Sequence, residues 1–164
     1  MQLKNLTPAY APQILEIFND AILNSTALYD YEPRTLENMN AWFKTKDAGN
    51  YPVIGLVDEN DQLLGFGSYG TFRERAAYKP TVEHSIYIHK DHRGKGLGKI
   101  LMPEIINAAK LQGYHCIMAG IDASNAVSIK LHEQFGFREV GVIKEVGFKF
   151  NRWLDLAFYQ LLIG

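Results

Sequence analysis

The strongest chemical pattern in the chain is one run of eight residues, His92-Arg93-Gly94-Lys95-Gly96-Leu97-Gly98-Lys99. Its three glycines let the backbone bend sharply and come close to a ligand. Where such a turn opens a helix, the first N–H groups are unpaired and carry partial positive charge. Arg93, Lys95 and Lys99 add full charges, so the run reads as a cradle for phosphate or pyrophosphate. A P-loop is excluded, because the spacing to a Lys-Ser or Lys-Thr pair is missing. A dinucleotide fingerprint needs Gly-x-Gly-x-x-Gly, whereas the glycines at 94, 96 and 98 are evenly spaced. A solvated basic turn is the competing reading.

Proton transfer needs an ionisable side chain near the reacting atoms. Glu83 is the first candidate. It lies in an alternating segment where Val82, His84, Ile86 and Ile88 face one way and Glu83, Ser85, Tyr87 and His89 the other. The bland alternative is a solvent-facing carboxylate. His132 is the second candidate, on a helix whose Asn125, Ser128 and His132 share one side and whose Val127, Leu131 and Phe135 form the apolar other. Histidine titrates near neutrality and serves as acid or base; the alternative is a capped or solvated helix residue. Arg73 and Arg75, with Glu74 between them, can present paired forks to a carboxylate or simply belong to a charged loop. Tyr29, Tyr31 and Tyr78 could wall a pocket. The one cysteine, Cys116, lies in an apolar run and reads as an inert core thiol. His84, His89 and His92 fit no zinc spacing, so no metal site is expected.

These residues need elements to hold them. Residues 2–6 read as a short strand. Ile14, Ile17, Phe18, Ala21 and Ile22 recur at helical spacing after Thr7-Pro8, a helix start. A second helix is expected after Thr35, with Leu36, Met39 and Phe43 on one side. Residues 52–58 and 63–72 read as strands joined by a polar turn at 59–62. Residues 81–90 form the next strand, and a helix is expected over 98–112, closed by Gly113 and kinked at Pro103. A strand over 114–121, a helix over 125–135 and strands over 138–148 and 153–162 complete the chain, with Gly141 and Gly147 disturbing the first of the last pair. The order β-α-α-β-β-β-α-β-α-β-β implies an α/β (α+β layered) domain, a mixed sheet flanked by helices, spanning 1–164.

Arg93-x-x-Gly96-x-Gly98 resembles the Arg/Gln-x-x-Gly-x-Gly/Ala motif of the GNAT acetyltransferases, and Asn125 to Gly136-Phe137 resembles that family's Asn…Gly-Phe segment. The likeness runs over nearly the whole chain. It implies a mostly antiparallel GNAT sheet, acetyl-CoA as co-substrate, and pyrophosphate on the amides of residues 93–99. It also implies a strand split from its neighbour, with the backbone of Ile86, Tyr87 and Ile88 on the pantetheine arm and Asn125 and Ser128 beside it. Many family members use a tyrosine four residues before Gly-Phe as general acid; here that position is His132.

Four blocks are similar to the phosphinothricin and methionine sulfoximine acetyltransferase branch: residues 72–78, 82–87, 131–133 and 146–155. The branch implies direct acetyl transfer to the amino group of a small amino-acid-like acceptor. Glu83 or His132 would be catalytic, and Arg73, Arg75, Tyr78, Glu83 and Tyr29 would contact the acceptor. It further implies a homodimer with the C-terminal strands near the contact. Where the branch often has Arg-Lys-Phe, this chain has Phe148-Lys149-Phe150.

Composition agrees with an ordinary globular protein: 47% hydrophobic and 21% charged residues, with a net charge of -1. That balance argues against a nucleic-acid partner and against a basic membrane-binding stretch. A single cysteine and an N-terminus without a long apolar run lead to the expectation of a cytoplasmic protein. Two rival functions stand beside the small-molecule enzyme: a protein or peptide N-acetyltransferase, and a non-catalytic coenzyme A-binding module.

Overall fold

The computed structural model describes residues 1–164. The elements are β1 (Gln2–Asn5), α1 (Ala11–Asn24), α2 (Leu36–Ala48), β2 (Val53–Val57), β3 (Leu63–Thr71), β4 (Thr81–Ile88), α3 (Leu97–Leu111), β5 (Cys116–Asp122), α4 (Ala126–Gln134), β6 (Arg138–Lys149) and β7 (Arg152–Leu162). This is the order expected from the sequence. Single 3₁₀ turns occupy Pro8–Tyr10, Ala76–Tyr78 and Lys90–His92.

The strands form one seven-stranded sheet in the order β1-β2-β3-β4-β5-β7-β6. Every neighbouring pair is antiparallel except β4 and β5. That one parallel ladder is short: Thr81, Val82 and Glu83 pair with Cys116, Ile117 and Met118, and pairing then stops. Beyond it β4 stays bonded to β3 and β5 to β7, so the sheet opens into a wedge. The edges facing this wedge carry backbone groups with no ladder partner, which need another partner to be satisfied.

Two cores flank the sheet. Ile14, Ile17 and Phe18 of α1 and Met39 and Phe43 of α2 pack on one face with Val53, Val57, Leu63 and Phe66. Leu101, Met102, Ile105 and Ala109 of α3 pack on the other with Val82, Ile117 and Phe137. The expected apolar face of α1 is buried throughout.

Local chemistry explains the boundaries. α2 starts with a capping box: Thr35 Oγ1 accepts from the Asn38 N–H at 3.2 Å and Asn38 Oδ1 accepts from the Thr35 N–H at 2.9 Å. The β2–β3 turn is closed by Asp58, whose Oδ1 accepts from the N–H groups of Asn60 and Gln62.

Some expectations need correction. Thr7-Pro8 opens a 3₁₀ turn before α1, and Thr7 makes no side-chain cap. Leu36 and Val127, expected on apolar faces, are exposed. They lie on the first turns of their helices and join neither core cluster. α3 runs through Pro103 as one continuous helix. In β6 the register shifts between Glu139 and Gly141 and between Ile143 and Gly147, so the two glycines do mark irregular stretches. No helix is long and apolar enough to cross a membrane.

Candidate active site

From the last β4–β5 pair onward, β4 places Glu83, Ser85 and Tyr87 toward α1 and α2, and His84 toward α4, as strict alternation requires. On the first side is a cavity of about 220 Å³. Its wall is Phe18 from α1, Leu28 and Arg34 from the α1–α2 loop, Trp42 and Lys46 from α2, Phe66 and Ser68 from β3, and Glu83, Ser85 and Tyr87 from β4.

Three charges meet there, two cationic and one anionic. Desolvation by the cavity walls raises the Glu83 carboxyl above its ordinary range, and nearby Arg73 opposes this. Lys46 donates from Nζ to the Tyr69 carbonyl at 2.8 Å and lies 5.3 Å from the Trp42 ring centroid. Burial brings its pKa down to about 8. The Arg34 guanidinium covers the Phe18 ring at 4.3 Å and pairs with Asp30 at 3.2 Å.

Neither Arg34 nor Lys46 was singled out by the sequence reading. Lys46 follows Trp42 by one helical turn, on the flank of the face that supplies Met39 and Phe43 to the core. That i, i+4 pair was the available signal.

The predicted acceptor contacts divide. Glu83 is on the cavity wall. Arg73 is close enough to influence Glu83 and stacks on Phe72 at 5.1 Å. Arg75 is exposed, and Tyr78 is exposed edge-on to Phe72 at 5.9 Å. Tyr29 lies apart from the cavity wall; its hydroxyl is buried without a hydrogen-bond partner, and burial raises its pKa.

On the far side of β4, His132 is buried. The residue has 6% of its surface exposed. Its Nδ1–H donates to the Ser128 carbonyl at 2.7 Å. That tautomer leaves Nε2 as an acceptor, and the His84 Nε2–H fills it at 2.9 Å. Burial pushes His84 down to about 3, with His132 adding to the shift, and burial also lowers His132. Both rings are therefore neutral near pH 7, and β4 separates them from Glu83. Asn125 caps α4, its Oδ1 accepting from the Ser128 N–H at 3.1 Å.

The glycine-rich turn has the form a phosphate cradle needs. Gly94 and Gly96 have φ of 74° and 77°, and a Cβ on either would meet nothing within 4 Å. Gly96 is the N-cap of α3, so the first helical N–H groups open onto this space. Gly98 serves packing instead: a Cβ there would come within 2.8 Å of Leu131 on α4. Leu97 is buried, while Lys95 and Lys99 are exposed. Arg93 is engaged within the chain, donating to Asp20 at 2.7 Å and to the Ile88 carbonyl at 3.3 Å. It thereby ties the turn to α1. The cradle, the open wedge and the half-buried strand residues Ile86, Tyr87 and Ile88 lie in sequence along one path, which fits a ligand with a diphosphate at one end and an extended arm.

Residues 13–137 match the Acetyltransferase (GNAT) family model. An L-methionine sulfoximine/L-methionine sulfone acetyltransferase of Pseudomonas aeruginosa is 45% identical over 150 residues, covering 92% of this chain and 87% of that protein. A GNAT superfamily phosphinothricin acetyltransferase from Sinorhizobium meliloti, solved in complex with AcCoA, superposes with a TM-score of 0.96 at 36% identity, covering 99% of this chain and 88% of that one. A ribosomal-protein-alanine N-acetyltransferase from Brucella melitensis superposes with a TM-score of 0.97 at 38% identity, covering 99% and 100%. With the split sheet, the glycine cradle and the family match in agreement, the chain belongs to the GNAT family and is an acetyl-CoA-dependent N-acetyltransferase.

Proposed function

We propose that the acceptor is a small amino acid of the methionine sulfoximine or phosphinothricin type. Its amino group would attack acetyl-CoA directly. The observation that carries this reading is the cavity, which is small and charged. At about 220 Å³ it is below the roughly 300–1,000 Å³ of sites for drug-sized ligands and suits one amino acid. An ammonium meets Glu83, and the carboxylate meets a cation: Arg34 or Lys46 on the wall, or Arg73 and Arg75 on the loop before β4. The relatives that act on methionine sulfoximine and phosphinothricin support the same class.

Glu83 takes the ammonium proton, directly or through a water. The freed nitrogen lone pair attacks the thioester carbon, the carbon–sulfur bond breaks with its electron pair going to sulfur, and the coenzyme A thiolate takes up the second proton that the nitrogen gives up as it becomes an amide. This reading gives His132 no direct proton, because both ring nitrogens are bonded within the chain and the ring is neutral. His132→Gln then lowers kcat by less than about tenfold, short of the 10²–10⁴ expected of a general acid. A hundredfold loss would reinstate it as the acid. The exposed apolar residues of the last hairpin, Val146, Phe148, Phe150 and Trp153, support a homodimer through this region, checked by mass in solution. Buried, unpaired Cys116 is compatible with work in the cytoplasm.

The Brucella likeness favours one second reading, a peptide N-terminus as acceptor. Coenzyme A release from acetyl-CoA separates the two. The acceptors to compare are methionine sulfoximine, phosphinothricin, common amino acids and an alanine-terminated peptide. Release with the free amino acids and not the peptide is the expected result; the reverse overturns the proposal. In the same assay, the double variant Arg73→Gln/Arg75→Gln raises the acceptor KM by about tenfold or more if the loop holds the carboxylate. An unchanged KM moves that role to Arg34 and Lys46.

A further inference from the structure

The segment between α1 and α2, residues 25–35, supplies Leu28 and Arg34 to the acceptor cavity but has no helix or strand of its own. Its ends are fixed locally. Ser25 Oγ donates to the Ala21 carbonyl at 2.7 Å, and Asn19 exchanges two hydrogen bonds with the backbone of Arg34, at 2.8 and 3.1 Å.

The middle is held from the other end of the chain. Lys149, at the close of β6, is 4% exposed, and its ammonium donates to the carbonyls of Ser25 at 2.8 Å and Leu28 at 2.7 Å. The Tyr31 hydroxyl donates to the Phe148 carbonyl beside it. The Tyr29 ring lies on Gly147, where a Cβ would meet it at 3.3 Å. Three consecutive hairpin residues thus grip one loop.

A lysine is rarely buried without a carboxylate partner. No carboxylate lies within ion-pair distance of Lys149; its hydrogen-bond partners are two backbone carbonyls of the loop. Such charge-assisted bonds are among the stronger ones, and both are part-buried. Neither Lys149 nor Tyr31 is on the cavity wall.

We propose that Lys149 is a positioning residue for the acceptor site: it latches the 25–35 loop to the β6–β7 hairpin and so sets Leu28 and Arg34 against the cavity. The inference rests on that cavity being the acceptor site. Loosening the latch reduces the fraction of molecules with the loop in place, and the apparent affinity for acceptor falls by the same factor. Acetyl-CoA, held by the wedge and the cradle, is unaffected.

The test is Lys149→Met, which keeps the length of the side chain and removes the ammonium. Hydrogen exchange in the free protein is read first. Amides of residues 25–35 should exchange about tenfold faster or more, while those of α3 and α4 change by less than about twofold. In steady state with methionine sulfoximine, the acceptor KM should rise by a similar factor with the acetyl-CoA KM unchanged. A lysine serving only general stability would speed exchange everywhere or move both KM values together. Tyr31→Phe, at a side chain 62% exposed, folds without difficulty and should shift the same readouts in the same direction by less. Parental exchange in the loop of both variants overturns the latch. A parent inert toward methionine sulfoximine would count against the acceptor assignment, and the exchange result would still decide the latch.

Discussion

Glu83→Gln lowers kcat by about 10²- to 10⁴-fold, the range typical for loss of a positioned general base. Gln keeps the size and the hydrogen-bonding reach of the side chain, so the loss reports proton transfer. The pH dependence supplies a second reading of the same variant. Glu83 is exposed over part of its surface, but desolvation on the side that lines the cavity holds its carboxyl above its ordinary pKa, with Arg73 opposing. A base works when deprotonated, so parental kcat/KM falls as pH drops through this raised value. In the variant that limb is absent.

Stability tells the two effects apart. A carboxyl whose pKa is raised by folding binds more protons in the folded than in the unfolded state, so its contribution to stability falls as pH rises through the raised value. Removing its charge at pH 7 therefore leaves the melting temperature unchanged or slightly higher. A variant that is slow, stable and flat with pH identifies the base. One that keeps parental kcat and its acid limb removes Glu83 from the chemistry.

The elements were legible because each carries its own periodic pattern. Ile14, Ile17, Phe18, Ala21 and Ile22 announce a buried helical stripe, and the alternation over Val82 to Ile88 correctly separates Glu83 from His84. The glycine turn was legible because conformation itself demands the residue type: Gly94 and Gly96 occupy left-handed backbone. What the sequence hides are meetings between distant residues. His84 and His132 are 48 positions apart, and Arg93 and Asp20 are 73 apart. Alternation sends His84 inward but cannot name what it meets there.

The cavity wall was hidden for a related reason. Arg34 comes from a segment without periodicity, and Lys46, although its spacing from Met39 and Phe43 sets it beside the buried stripe of α2, reads as an ordinary solvated lysine by residue type. Its depressed pKa arises only once the helix packs over β3. Lys149 is the extreme case. It lies in a strand exposed along nearly all its length, and it is buried because a loop from the first quarter of the chain covers it. Strand pattern places a side chain on a face; the loop crossing that face is set by tertiary folding.

Gly96→Val raises the dissociation constant for acetyl-CoA by at least about a hundredfold, or about 2.8 kcal/mol. Two effects combine. Valine at a φ of 77° is strained, by about 1–2 kcal/mol for a left-handed residue, and its branched side chain projects into the empty space over the first turn of α3. That space is where a diphosphate meets the unpaired N–H groups, and each charge-assisted hydrogen bond there is worth about 1.5–3 kcal/mol. Gly113→Val separates strain from occlusion. Gly113 closes the opposite end of α3 with a φ of 82° and the same open surroundings, so its substitution brings similar strain with nothing placed in the cradle. Both variants should melt a few degrees lower than the parent, about 2–4 °C for each kcal/mol, and calorimetric titration should show acetyl-CoA binding lost only at position 96. Equal binding by the two would mean that the diphosphate sits elsewhere, and that the open turn at Gly94 and Gly96 is only the way this chain enters a helix. Weakened binding by both would assign the effect to α3 as a whole, through its packing on β4 and on α4 at Gly98.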